Sequence, residues 1–562
     1  MTAPPRRRGD LGVRAALLAV VALVAVGCVY PLINVLAEAL SPSALPRYAE
    51  FVTSPVDLAI LRNTIVLGLL VGTCGTAIGL LFAFVQTRLA VPGKRVLHLI
   101  ALLPMISPPF AVATATVALY GRRGLVTYGI FGTEYDIYGL DGLVMVLSLS
   151  FFPVSYLGLL GMMRALDPAM EEAAMNLGAG RRRIFRTLIL PLLAPGVVAP
   201  FLLLFIEAIA DLANPLVVGG DYTVLASRAY LAVTGEYDTT SAAIYSLILL
   251  IPSIGLYLVQ RRWLARKTRI TITGKPSGSV HLIRGWGRWP VFTLAVLIAL
   301  VIVSLYGTVL AGAFIRAFNV DFSLTLNHMR VALLGAEGRE AVADTTLLAA
   351  IATPIAGLAG LTVAWLVVRH LGRAAGWLDF AATLGVAVPG TVLGIGYVLA
   401  YRDDIEVAGV TVLPGLVGGG ALAGGSLAII LAYVVRSLPA GLRTATGALA
   451  QIHPHVEEAS TDLGARPLQT FRRVTLPLIR PALLTGLSYS FARCMTSVST
   501  IVFLVTPDTK IITSQILSAA GQGHYGVAFA YCTLLSLVVL LSLGLIRLVV
   551  GGSILTRQEG RL

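Results

Sequence analysis

Residues 167–193 read DPAMEEAAMNLGAGRRRIFRTLILPLL, and residues 453–479 read HPHVEEASTDLGARPLQTFRRVTLPLI. The second stretch repeats the first 286 positions later, with twelve identities in twenty-seven positions and no gap. The shared residues include Glu171-Glu172-Ala173 with Glu457-Glu458-Ala459, Leu177-Gly178-Ala179 with Leu463-Gly464-Ala465, and Leu190-Pro191 with Leu476-Pro477. Asp167-Pro168 opens a helix: the carboxylate accepts from first-turn N–H groups, and the fixed φ of proline suits the first helical position. Pro454 holds the equivalent place. The paired acids near each N-terminus are favoured by the helix dipole. Gly178 and Gly464 suit the positive φ that ends a helix. A second short helix is expected after each glycine, basic on one side and apolar on the other, and stopped by Pro191 and Pro477. The product is a helix–turn–helix elbow at a membrane surface, present twice.

Each elbow is a charged island in a greasy half-chain. Of 562 residues, 57% are hydrophobic and only 12% charged, with mean hydropathy +0.86; soluble domains carry about 25% charged residues. Apolar runs near 20 residues recur along the chain, the length that crosses a hydrocarbon core of roughly 30 Å. The class is an all-α polytopic membrane protein. Twelve spans are expected near 14–37, 62–87, 97–120, 142–163, 193–216, 241–261, 289–315, 345–368, 378–401, 424–442, 481–505 and 525–548. Starting inside, most of the 42 Lys and Arg fall in or beside cytoplasmic segments, with Arg62 and Arg493 noted at or within spans. The net charge of +14 is therefore a topology signal of the positive-inside kind rather than a nucleic-acid footprint. Both termini are expected in the cytoplasm.

Six spans per half give two parallel repeats, related by an axis along the membrane normal. The first half is 1–263 with its loop at 167–195, and the second is 289–562 with its loop at 453–481. The basic, turn-rich segment 264–288 is a cytoplasmic linker. Similarity extends beyond the loops: Asn63-Thr64 corresponds to Asp344-Thr345, Arg88 to Arg369, and Pro108 to Pro389. Cys28, Cys74, Cys494 and Cys532 lie in or beside apolar spans and read as small buried hydrophobes. Cys28 follows a run loosely resembling a lipoprotein signal, but the apolar run continues past it, so an uncleaved first span is expected.

The repeated loops resemble the EAA loop of bacterial ABC importer permeases: Glu-Ala-Ala, a glycine about five residues on, then Leu-Pro. Two copies in one chain resemble the fused, twelve-span permeases of the ferric-iron importer family and its relatives for thiamine, polyamines and 2-aminoethylphosphonate. The resemblance implies a type I importer fold in the bacterial inner membrane. It also implies two ABC ATPase subunits gripping the loops, and a periplasmic or lipid-anchored binding protein delivering substrate. Glu171, Glu172, Ala173, Gly178 and Pro191, with Glu457, Glu458, Ala459, Gly464 and Pro477, are the ATPase-coupling residues it implies. The second copy departs at Ser460 and Pro467, which would make the two contacts unequal. The chain itself has no P-loop: Gly93-Lys94 and Gly274-Lys275 lack the glycine-rich run. No cofactor is expected on this chain, and ATP belongs to its partners.

Ionisable residues inside a membrane are costly and mark function. Glu207 and Asp211 lie one turn apart on the span after the first loop, which breaks at Asn214-Pro215. At the 286 offset, Glu207 corresponds to Arg493 and Asp211 to Ser497. Glu207 and Arg493 are expected to face each other as a gate across the pathway. Register-fixing burial of the same pair is the competing reading. Asp211, without a charged mate, is the candidate for touching substrate. The segments at Asp221-Tyr222 and at Asp403-Asp404 are candidates for contacting a binding protein. No ligand cluster with metal spacing is present, and His281, His370, His453 and His455 fall in expected cytoplasmic segments. An ion-coupled secondary transporter also has two six-helix halves, with Glu207 and Asp211 as proton sites. The two loops argue against it, since a secondary transporter has no ATPase to grip. No nucleophile–base constellation points to an enzyme.

Overall fold

The computed structural model describes residues 11–267, 282–407, 410–465 and 467–559. Residues 268–281 of the expected linker, with His281, lie outside the described residues. The first half runs α1 Gly12–Ala39, α2 Pro55–Arg88, α3 Lys94–Leu102, α4 Pro109–Tyr120, α5 Leu140–Ala165, α6 Pro168–Asn176, α7 Leu190–Ala210, α8 Ala213–Val218 and α9 Thr239–Lys267. The second runs α10 Arg288–Gly312, a hairpin of β1 Ile315–Ala317 and β2 Asp321–Leu324, then α11 Ala336–Arg369, α12 Ala375–Ala387 and α13 Gly390–Tyr401. It continues with α14 Ser426–Gln451, α15 Pro454–Asp462, α16 Leu476–Met495 and α17 Tyr525–Glu559.

Among the described residues, eight helices are long and apolar enough to cross a membrane unbroken, and up to 11 spans result if each of three bent pairs counts as one. Of the twelve expected spans, the one not counted is α16, whose Arg480 and Arg493 and hydroxyl residues lower its apolarity. Two expected spans are broken inside the membrane. The chain bends by 107° between α3 and α4 and by 99° between α12 and α13. Pro108 and Pro389 sit at these breaks, in extended backbone as N-caps of α4 and α13. Proline lacks the N–H a continuing helix needs and restricts the residue before it.

The repeat visible in sequence has a structural cause at each matched position. Thr64 Oγ1 accepts from Leu225 N at 2.9 Å, and Thr345 Oγ1 accepts from Ile512 N at 2.8 Å. The α2–α5 crossing is so close that a Cβ on Gly79 would overlap Ser155, and the equivalent Cβ on Gly360 of α11 would lie 2.6 Å from Leu442 N of α14. Small residues let helix backbones approach where there is no hydrophobic drive between helices.

The first helix of each half reaches across to the other half while keeping contact with the last helix of its own. Helix α1 packs against α13 and α14 as well as α9, and α10 packs against α2, α3 and α4 as well as α17. Tyr397 Oη donates to Gly27 O at 2.9 Å, and the Tyr30 and Tyr401 rings pack at 5.6 Å. A Cβ on Gly396 would meet Pro31 O at 2.8 Å. On the other side, Asn319 Nδ2, in the β1–β2 turn, donates to Ala118 O at 2.8 Å and Arg123 O at 3.0 Å. The halves are therefore interlocked by exchanged helices.

Candidate functional site

Asp167 Oδ1 accepts from Ala169 N at 3.0 Å and starts α6. The helix closes at Gly178, φ +81, where Ala179 N donates back to Ala174 O at 3.0 Å. In the second copy His453 Nδ1 takes the capping place, accepting from His455 N at 3.4 Å. Gly464 has φ +86, and Ala465 N donates to Ser460 O at 3.1 Å. Just before each glycine stands a leucine out in solvent: Leu177 is 88% exposed and Leu463 90%. The two turns thus match in exposure as they do in sequence.

The prolines do not behave as the sequence suggests. Pro191 and Pro477 were expected to stop the second short helix. Instead the chain passes through a π-helical turn, Phe185–Ile189 and Phe471–Thr475, straight into α7 and α16, with proline in the first turn of each. Proline has no N–H to give the turn before it, and the wider π-helical turn immediately ahead accommodates that loss without ending the helix. Each elbow thus runs without a loop into the span that follows it, which in the first half bends by 42° between Ala194 and Gly196.

The paired acids divide their work. Glu171 is held by Arg88, Nη1 to Oε1 at 2.6 Å and to Oε2 at 2.8 Å. Glu457 is held by Arg369, Nε to Oε2 at 2.9 Å, and also accepts from Thr475 Oγ1 at 3.0 Å. Arg369 Nη2 further donates to Leu449 O and Ile452 O, both at 3.2 Å, at the end of α14. Arg88 and Arg369 are the last residues of α2 and α11. Sequence reading noted their repetition without connecting them to the loops; an arginine recurring at a span end was the available signal. Glu458 bonds His455 Nδ1 at 2.6 Å in the second loop, where the first has Ala169 in place of the histidine. Ala173 and Ala459 sit mid-helix in α6 and α15.

Between the halves, Arg493 Nη2 of α16 donates to Glu207 Oε1 of α7 at 3.1 Å. Their side chains keep 32% and 27% of their surface, so the pair borders open space rather than closed core. Asp211 and Asn214 are brought together instead: Asp211 Oδ2 accepts from Asn214 N at 3.0 Å and from Asn214 Nδ2 at 2.9 Å, which starts α8. Both are buried. Ser497 lies just beyond α16, its carbonyl accepting from Thr513 Oγ1 at 3.1 Å. Arg436, inside the expected span 424–442 but not singled out there as a charge in the membrane, lies within α14. Among the described residues no group of three or more His, Cys, Asp or Glu is placed to hold a metal ion. At the end of α5 opposite the loops, a cavity of 1220 Å³ opens between the halves, bordered by Asp221, Tyr222, Asn319 and Tyr525.

The chain matches the family described as "Binding-protein-dependent transport system inner membrane component" twice, over residues 75–270 and 352–552. It is 33% identical to the ferric transport system permease protein FbpB of Actinobacillus pleuropneumoniae, across 99% of this chain and 80% of that protein. It is 32% identical to the putative ferric transport system permease protein FbpB 1 of Haemophilus influenzae, across 90% of this chain and 80% of that protein. The molybdenum transport system permease protein ModB of Escherichia coli is 30% identical over 34% of this chain and 86% of its own length.

Proposed function

Because this chain belongs to the family of binding-protein-dependent transport system inner membrane components, we propose that it carries ferric iron inward as the fused permease of an ATP-driven importer. It is a multi-pass transporter permease and not an enzyme. The observation that carries the proposal is the duplicated elbow, which offers two equivalent docking points, each with a bare leucine, at one end of the bundle. Two ATPase subunits grip them, one each, and bind the ATP. A periplasmic or lipid-anchored binding protein delivers cargo to the opposite face. The loops and both termini lie in the cytoplasm, as the positive-inside bias supports. The printed names of the two long-matching relatives support ferric iron as cargo.

Closure of the ATPase subunits on ATP would draw α6 and α15 together. The Arg88–Glu171 and Arg369–Glu457 pairs pass that movement to α2 and α11, and the π turns pass it to α7 and α16. Rocking of α7 against α16 separates Glu207 from Arg493 and opens the centre to alternate sides, a rigid-body switch biased by ligand binding elsewhere. The test is reconstitution in proteoliposomes with the cognate ATPase and binding protein. ATP-dependent uptake is compared for ferric iron, thiamine, spermidine and 2-aminoethylphosphonate. Iron alone stimulating hydrolysis supports the reading, and stimulation by another member replaces the cargo. Uptake that follows a proton gradient without ATP would overturn the importer mechanism.

A further inference from the structure

Two arginines at the centre, Arg436 of α14 and Arg493 of α16, are near enough to interact with each other and have one acid, Glu207, within electrostatic reach of both. Glu207 gives its ion pair to Arg493. Asp211 is occupied by Asn214. Arg436 has no ion pair among the described residues, and its Nη1 is buried without a hydrogen-bond partner.

The position of that guanidinium is informative. A Cβ built on Gly390 would lie 3.0 Å from Arg436 Nη1, 2.8 Å from Ser499 Cβ and 3.1 Å from Thr500 Oγ1. Gly390 is the first residue of α13, at the 99° break inside the membrane. First-turn N–H groups have no intrahelical acceptor, and a helix N-terminus carries partial positive charge. A cation placed there is on the wrong end of the dipole for stability. Thr391, in the same first turn, is fully buried with Oγ1 unpartnered. An unmatched guanidinium thus lies against a helix N-terminus whose first turn also holds an unpartnered buried hydroxyl, and no acid pairs with it among the described residues.

Resting on the importer reading above, we infer that the Arg436–Gly390 site receives anionic oxygens, carboxylate or phosphate, so that cargo crosses as an anion. A bare ferric ion would meet an uncompensated positive charge in low dielectric, where repulsion is poorly screened. Iron therefore passes this point as a chelate whose anionic oxygens face Arg436.

The test uses the full complex, with its ATPase and binding protein, in proteoliposomes. It is offered 55Fe(III) with 14C-citrate, 55Fe(III) with 32P-phosphate, and each anion without iron. Arg436→Gln and Arg436→Lys are compared with the parent, and retention of the ATPase subunits on size-exclusion reports folding. Iron and one anion label should accumulate together. Arg436→Gln should lower that uptake about tenfold or more, the scale of a lost hydrogen bond to a charged group. Arg436→Lys, which keeps charge but not the fork, should lose less. Iron entering without either label, at a rate unchanged in Arg436→Gln, would overturn the site and leave the ferric reading standing. Anion entering without iron, and lost in Arg436→Gln, would support the site and end the ferric reading.

Discussion

Glu207 and Arg493 occupy equivalent positions of two repeats and meet at 3.1 Å. In a pseudo-twofold bundle, equivalent side chains near the axis face each other, so two identical charges there would repel. Opposite charges solve this, and a fused chain, unlike a homodimer, can hold different residues at equivalent positions. The pairing was legible in sequence because the offset of 286 carried over from the loops to the spans behind them. Arg436 falls inside the expected span 424–442 and was passed over, because its equivalent, Ser150, is uncharged and the symmetry that led to Glu207 and Arg493 does not lead to it. A charge swap tests the gate. Glu207→Arg alone and Arg493→Glu alone each leave like charges together inside the membrane, where unpaired charge is costly. Both single changes should lower ATP-driven uptake more than about tenfold, corresponding to roughly 1.4 kcal/mol or more. The double exchange should recover a substantial part. A double variant no better than either single one would show that direct pairing contributes nothing.

At the scale of the element, α6 and α15 were read well from caps, and their attachments were not. Asp167 and the two glycines declare the ends of a short helix through chemistry local to the sequence. What fastens the helix lies 83 residues away from Glu171 in one half and 88 from Glu457 in the other, beyond any helical periodicity. The same limit explains the prolines: first-turn proline and helix-stopping proline look alike until the preceding residues are known to be helical. Two expectations belong to these elements. Gly178→Val and Gly464→Val place a branched side chain at φ +81 and +86, a left-handed conformation costing about 1–2 kcal/mol per residue. Either should deform the turn beneath the exposed leucine, so uptake falls while ATP hydrolysis by the assembled complex becomes insensitive to cargo. Unchanged coupling in both variants would detach the turn from ATPase contact. Arg88→Met leaves the nearly buried Glu171 carboxylate without its partner, the kind of change that costs about 3–5 kcal/mol. Thermal unfolding of the purified chain should shift down, and Arg88→Met with Glu171→Met should recover most of the loss. If the double change is as unstable as the single one, the pair is not what fastens α6.

Across the whole molecule, sequence located the apolar segments in order, all of the twelve but α16 meeting the length and apolarity of a crossing among the described residues, and hid their neighbours. Hydropathy and positive charge set which segments cross and in which direction, but carry no record of which helix packs on which. The exchange of α1 and α10 is written in scattered contacts: Gly27 with Val435, Tyr397 with Gly27 O, and Asn319 with Ala118 O. Each looks unremarkable within its own span. The exchange has a mechanical consequence. Self-contained halves could slide apart in the rocking proposed above; with their first helices traded, they are expected to rotate about contacts that stay closed. Cross-linking tests this directly. A Cβ on Gly27 would overlap Val435 Cγ2, so Gly27→Cys with Val435→Cys brings two thiols within the roughly 3.5–4.5 Å Cβ separation a disulfide needs. Cys28 is replaced by alanine, and the other native cysteines, Cys74, Cys494 and Cys532, by serine or alanine to remove side reactions. A protease site inserted between residues 264 and 288 then cuts the chain into its halves. After copper-catalysed oxidation and cleavage, the double-cysteine protein should run on a denaturing gel as one full-length band that reduction splits in two. It should also retain ATP-driven uptake while oxidised, because the exchanged contact is expected to stay closed through the cycle. Separation of the halves without reductant would refute the exchange itself, and loss of uptake on oxidation would show that α1 moves against α14 during transport.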